Sequence, residues 1–211
     1  MHSHFGPTGW WPGDSAFEIV VGAILTQNTA WTNVEKSLDL IKSDGLLSPQ
    51  ALIDSSEETL HRVLKPSGFF RIKAKRLLHF CHFLMDTHDG DMASLARTPL
   101  AELRTTLLNI HGIGPETADD IILYACQQPV FVVDSYTRRI FSRHGWVADD
   151  IGYEPLRSFF ESQLEANVDQ FQEYHGLLDL TGKEFCKTRP HCSGCPLEPL
   201  LSDDQPLVSS V

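Results

Sequence analysis

The sequence is short of positive charge. It carries 17 Lys+Arg against 28 Asp+Glu, a formal net charge of −11. On its face that balance argues against a nucleic-acid partner, but binding follows local charge rather than the sum. No apolar run approaches the roughly 20 residues of a membrane span, and the N-terminus lacks the charged-then-apolar pattern of a secretion signal. The expectation is a cytoplasmic chain with no membrane partner. Strand pairs, internal repeats and low-complexity segments are also missing, which leaves an all-α protein. Cysteine is scarce at five residues, an odd number, and three of them, Cys186, Cys192 and Cys195, lie close together near the C-terminus. In an intracellular chain such clustering reads as metal ligation before disulfides. Cys81 and Cys126 fall on apolar helix faces and read as core. With 211 residues, 42% of them hydrophobic, there is material for one sizeable domain or two small ones.

The chain is organised around Leu107 to Asp119. Apolar helical residues run into His111-Gly112-Ile113-Gly114, and Pro115 then opens a second helix. Glycine tolerates positive φ and close backbone approach, and proline suits the first helical turn. Such a hairpin points backbone N–H groups outward, where a phosphate can accept them. Taken alone, a Gly-x-Gly between helices is as often a plain tight turn. Val132-Val133-Asp134 follows, short, extended and apolar, with Asp134 placed to cap a helix over 135–143.

Elsewhere the signals are helical. Ser15-Ala16-Phe17-Glu18 has the form of a capping box, followed by Val20, Val21, Ile24 and Leu25 at helical spacing. Gln27 and Asn28 sit in a polar cluster after that helix, where they satisfy helix ends or reach into a groove. Trp31, Val34, Leu38 and Ile41 mark the next helix. Ser48-Pro49, Ser55-Ser56-Glu57-Glu58 and Thr98-Pro99 are further start signals. Arg71, Lys73, Lys75 and Arg76 read as the exposed positions of one helix, either a solvated face or a track for a phosphate backbone. Two more helices are expected around 153–165 and 169–180, and 202–211 reads as a loose end. Trp10-Trp11-Pro12 cannot place both rings on one helix face, so the two tryptophans need separate pockets. They plug a bundle end or form a wall for a flat base.

With the hairpin and Asp134 in place, the chain resembles the helix-hairpin-helix DNA glycosylases of the endonuclease III superfamily. The resemblance rests on Leu25-Thr26-Gln27-Asn28-Thr29, Gly112 to Ala118, Val132-Val133-Asp134 and the three clustered cysteines, and runs from about Trp10 to Cys195. Trp10-Trp11-Pro12, Leu25 to Thr29 and Pro66-Ser67-Gly68-Phe69 with Lys73-Ala74-Lys75-Arg76 look most like the endonuclease III-like 3-methyladenine DNA glycosylases.

The resemblance implies a two-lobed all-α fold with a DNA cleft between the lobes. One lobe is a six-helix bundle over residues 16–124; the other joins residues 1–15 to 125–211. It further implies a monomer that takes double-stranded DNA and flips the damaged nucleotide out of the stack. Asp134 would be the catalytic carboxylate, stabilising positive charge on the sugar and orienting water. Trp10, Trp11, Trp31 and Glu116 would form the base pocket. Gln27, Asn28, His111, Gly112, Ile113, Gly114, Thr117, Lys73 and Arg76 would contact DNA. Bifunctional members carry an attacking lysine where this chain has Glu116, so the expectation is a monofunctional enzyme for an alkylated purine. A glycosylase/lyase for oxidised pyrimidines and a non-catalytic damage-binding module remain alternatives. Superfamily members with a [4Fe–4S] cluster have a fourth cysteine six positions past the third, which here is Leu201. Cys186, Cys192 and Cys195 would then hold a cluster completed by another ligand such as Asp203 or Asp204, or zinc with His191, or no metal.

Overall fold

A computed structural model describes residues 1–201. Asp203, Asp204 and the loose end expected over 202–211 lie outside the described residues. Within them every regular element is helical, and no described helix is long and apolar enough to cross a membrane. The chain divides into two compact units, Trp11–Pro129 and a second that joins Met1–Trp10 to Val130 onward. The divisions fall a few residues from the expected 15/16 and 124/125. Trp11 packs on Trp31 and Tyr124, and the Gln128 amide bonds the carbonyls of Ala96 and Thr98. Both residues are thereby tied to the first unit.

The chain opens with a short helix, α1 (His2–Phe5), which belongs to the second unit. The first unit is built on α2 (Ala16–Leu25). Val20, Val21, Ala23, Ile24 and Leu25 are all 0% exposed, as befits a helix apolar on almost every side. Ser15 caps it by accepting from the Glu18 N–H at 3.2 Å. Glu18 in turn accepts from the Asp14 N–H and holds Lys42 at 2.5 Å. Around α2 lie α3 (Trp31–Ser43), the short α4 (Pro49–Ile53), α5 (Glu57–Leu64), α6 (Phe70–His88), the short α7 (Met92–Ala96), α8 (Leu100–Leu108) and α9 (Pro115–Asp120). Ser48 and Ser56 cap α4 and α5 as expected. After α9 the helix widens into a π-helical turn, Ile121–Ala125, with every residue buried; such widenings recur at functional sites.

In the second unit Val130 to Val133 run extended and buried, at 0–1% exposure, without pairing as a strand. They deliver Asp134 to the start of α10 (Ser135–Arg143). α11 (Tyr153–Gln163) and α12 (Val168–Glu184) follow. Phe131 stacks on Phe160 with centroids 4.0 Å apart. α12 lies against α10 and the N-terminal segment because two of its residues lack a side chain. A Cβ at Gly176 would stand 2.6 Å from Thr8 Oγ1, and one at Gly182 would overlap the Tyr136 ring. Glu173 accepts from the Thr8 N–H and Oγ1–H and so straps that segment to α12.

Candidate functional site

The hairpin hangs from buried Ile110 and Ile113, while His111, Gly114, Pro115 and Glu116 are exposed. Gly112 has φ +96°, and a Cβ there would fall inside the Arg76 side chain. Gln27 braces the turn: its Nε2 donates to Gly112 O at 3.1 Å and to Thr117 Oγ1 at 2.9 Å. Its Oε1 accepts from Arg76. Gln27 thus links Thr117 and Arg76, all three expected to contact DNA, in one network with the hairpin. Asn28 remains exposed, at φ +54°. The exposed His111 ring meets that of His79 edge-on at 5.2 Å.

Lys73 corrects the expectation of an exposed basic run. It is 1% exposed, and its ammonium donates to Leu25 O at 2.7 Å and to Thr29 Oγ1 and Ser67 O, each at 2.6 Å. Burial, with Arg76 nearby, lowers its pKa to about 8. The cause is periodicity: 73, 77, 80 and 84 form the inner stripe of α6, with Leu77, Phe80 and Leu84. Lys73 thus ties the end of α2 to the turn before α6 and is not available to a phosphate. Arg71 and Lys75 are the exposed cations. Sequence reasoning missed that this turn also presents two apolar side chains, Phe69 at 66% and Ile72 at 52% exposure. Phe69 is held at φ +46° just after Gly68 at φ +67°. The Gly68-Phe69 pair was the available signal.

The adjacent tryptophans part company, one to each unit. Trp11 meets Trp31 edge-on, centroids 5.2 Å apart and planes at 88°, and touches Tyr124 of the π-helical turn at 5.4 Å. These two rings pack on each other, so they are not parallel walls with a base-sized gap. Gly22 makes room for them: a Cβ there would stand 3.3 Å from both Trp11 Nε1 and Trp31 Cη2. Trp31 Nε1 donates to Glu35. Trp10, in the other unit, lies beside Gly176, and the Lys183 ammonium stands 5.1 Å above its ring.

Asp134 caps α10. Its Oδ1 accepts from the Thr137 N–H and Oγ1–H, both at 2.7 Å, and its Oδ2 lies 4.0 Å from His175 Nε2. His175, Asp179 and Lys183 recur at four-residue spacing on α12, so they share one face. Lys183 holds Asp179 at 2.7 Å. Burial lowers the pKa of His175, against the upward pull of Asp134 and then Asp179; Lys183 adds to the lowering. Burial likewise raises that of Asp179, with Lys183 opposing. The sequence already spaced these three residues for one face, but only packing showed that the face meets Asp134.

The cysteine loop is held by two arginines of α10. Arg139 Nε donates to Cys186 O at 2.6 Å, and Arg143 donates to Cys186 Sγ at 3.3 Å, Lys187 O at 2.6 Å and Thr188 O at 2.9 Å. Among the described residues no three His, Cys, Asp or Glu side chains gather as a metal site. Burial, the largest cause, raises the thiol pKa of both Cys192 and Cys195. The three thiols act on one another electrostatically, Cys186 on Cys192 and both on Cys195. Cys81 and Cys126 are core, their thiols pushed up to about 12 by burial.

Comparison with known proteins agrees with this architecture. Residues 21–166 match the HhH-GPD superfamily of base excision DNA repair proteins. The chain is 39% identical over 197 residues to MJ1434 of Methanocaldococcus jannaschii, whose name describes a DNA repair glycosylase, covering 92% of this chain and 89% of that one. It is 27% identical over 183 residues to endonuclease III of Thermotoga maritima, covering 86% and 80%. The solved structure of the H. pylori 3-methyladenine DNA glycosylase MagIII bound to 1,N6-ethenoadenine superposes with a TM-score of 0.74 and 28% identity, over 85% of this chain and 90% of that one. A non-covalent endonuclease III–DNA complex shares the fold, with a TM-score of 0.76 at 22% identity over 91% of this chain and 85% of that one. The chain belongs to the HhH-GPD superfamily of base excision DNA repair proteins and is a DNA glycosylase of the endonuclease III superfamily.

Proposed function

We propose that the protein is a monofunctional glycosylase that hydrolyses the N-glycosidic bond of an alkylated purine, such as 3-methyladenine, in double-stranded DNA. The observation that carries the hydrolytic reading is Glu116, an exposed carboxylate at the second position of α9. A carboxylate cannot attack the sugar as an amine and form a Schiff base. Water is then the nucleophile. Asp134 supports it: one oxygen is fixed by Thr137 while the other is left to stabilise positive charge on the sugar and to orient the water.

The lesion class is supported by the aromatic residues and by the relative solved with ethenoadenine. Alkylated purines are cationic or electron-poor, and a base stacked on an aromatic ring gains about 1–3 kcal/mol. Trp11 and Trp31, paired edge-on within one unit, are assigned to that contact. The hairpin is assigned to a backbone phosphate and Arg71 and Lys75 to its neighbours. Phe69, apolar and exposed, suits a wedge at the step from which a base is drawn. The cysteine loop is assigned a structural role, with or without a metal.

One observation favours a second reading, a glycosylase/lyase for oxidised pyrimidines: an amine, Lys183, shares a unit with Asp134. Its ion pair with Asp179 leaves no lone pair for attack. Borohydride trapping separates the two, since a covalent protein–DNA adduct requires an amine. The main test is single-turnover base release from an alkylated duplex. Asp134→Asn is expected to abolish release while sparing DNA binding. Full activity of that variant on every lesion tried would remove Asp134 from the chemistry. Binding to damaged duplexes with no abasic sites formed would make the protein a damage sensor.

A further inference from the structure

We infer that His175, on α12, is the positioning residue that takes the proton from Asp134 at the reacting centre. The inference rests on the alkylated-purine reading, because the proton arises from that chemistry. A purine alkylated on a ring nitrogen is a cation. When its glycosidic bond breaks, the bonding pair goes to the base, which departs neutral and takes up no proton. The water that attacks the sugar forms a C–O bond and must lose one O–H proton. Each turnover therefore leaves one proton at the carboxylate that oriented the water.

Of the two Asp134 oxygens, Oδ2 is the one placed to pass it on. Oδ1 is already the acceptor of both Thr137 bonds, whereas Oδ2 faces His175 Nε2 at 4.0 Å. That gap is too long for a hydrogen bond at rest, but such contacts commonly tighten in the reacting complex. The imidazole is buried, and burial disfavours its charged form, so it rests neutral with a ring nitrogen able to accept. One turn on stands Asp179, and one turn further Lys183, whose side chain is 43% exposed. Asp179, ion-paired to Lys183, supplies a negative charge that favours the imidazolium once it forms. The charged groups acting on His175 are Asp134 from the cap of α10 and Asp179 and Lys183 from α12 itself. At neighbouring Gly176 the N-terminal segment presents Thr8 and Trp10, neither of which titrates.

A packing role and a proton-accepting role separate in the variants. His175→Gln keeps a polar, hydrogen-bonding side chain but has no basic nitrogen. His175→Gly opens a space for an added azole. We expect His175→Gln to bind a methylated-purine duplex as the wild type does and to release base more slowly, on the order of 10²-fold. With His175→Gly, imidazole should restore the rate in a saturable manner. Pyrazole, of the same shape and almost without basicity, should restore folding but not the rate. Equal rescue by the two azoles, or wild-type rates in His175→Gln, overturns the inference. Asp134→Asn run alongside separates the two levels. If it stays fully active, the underlying reading has failed; if it is dead while His175→Gln is unaffected, only the relay has failed.

Discussion

Thr137 donates both its N–H and its Oγ1–H to a single oxygen of Asp134, each at 2.7 Å. One carboxylate therefore serves as helix cap and as candidate catalytic group, and the two roles respond differently to substitution. Asparagine is as good a cap as aspartate, whereas alanine at an N-cap costs about 1 kcal/mol. Asp134→Asn should keep the melting temperature close to wild type while base release is lost. Asp134→Ala should lose both. Thermal melts beside single-turnover assays test this, and an Asp134→Asn that unfolds would show that the cap depends on charge.

Gly112 and Arg76 cannot both keep their places if residue 112 gains a Cβ. Gly112→Ala also forces a side chain onto φ +96°. Backbone strain of this kind costs about 1–3 kcal/mol, and displacing Arg76 takes from Gln27 its bond to that guanidinium. Reduced stability and weaker duplex binding are expected together. Adding Arg76→Ala removes the overlap but not the strain, so the double variant should recover part of the loss. A double variant no better than the single would locate the whole effect in φ.

Gly22 separates stability from function more sharply. Alanine in the middle of α2 gains about 1 kcal/mol in helix propensity over glycine. The new methyl would press on Trp11 and Trp31 at 3.3 Å, where each ring must yield by a few tenths of an ångström. The two effects nearly cancel in stability, yet the ring displacement persists. Gly22→Ala should melt within about 1 kcal/mol of wild type while base release falls and tryptophan fluorescence shifts. Unchanged activity would detach the Trp11–Trp31 pair from base recognition.

Much of this fold was legible because helix ends carry their own chemistry. Ser48-Pro49, Ser56 and Asp134 each mark a start that the structure keeps, since an N-cap is decided within four residues. Features that depend on distant packing were not legible. Lys73 stands in a basic run that looks like surface, and only the 73-77-80-84 stripe betrays its burial. Nothing local to Trp10-Trp11 says that one ring goes to each unit. The widening at Ile121–Ala125 has no mark in its run of apolar residues. At the site, Asp134 could be picked out from its segment and the resemblance. The gap to His175 belongs to the meeting of α10 with α12, which no single stretch encodes.

The buried ammonium of Lys73 makes a prediction for pH. Its folded-state pKa is about 8 against an ordinary 10.5. Below pH 8 it is protonated in both folded and unfolded chains, so it adds no slope to stability. Between about 8 and 10.5 the unfolded chain binds a proton that the folded chain does not, and stability rises with pH. The full gain is at most about 3 kcal/mol, and less to the extent that the three acceptor oxygens favour the charged form. Lys73→Met lacks this slope and, at neutral pH, leaves Leu25 O and Thr29 Oγ1 without the Lys73 donor, at about 1–3 kcal/mol for each buried group left unsatisfied, while Ser67 O keeps the Thr29 hydroxyl as donor. Urea unfolding at pH 7, 8, 9 and 10 should therefore show wild type more stable than Lys73→Met throughout, with the difference widening above about pH 8. A constant difference would mean that Lys73 keeps its proton across that range, held by the three oxygens more firmly than burial opposes it.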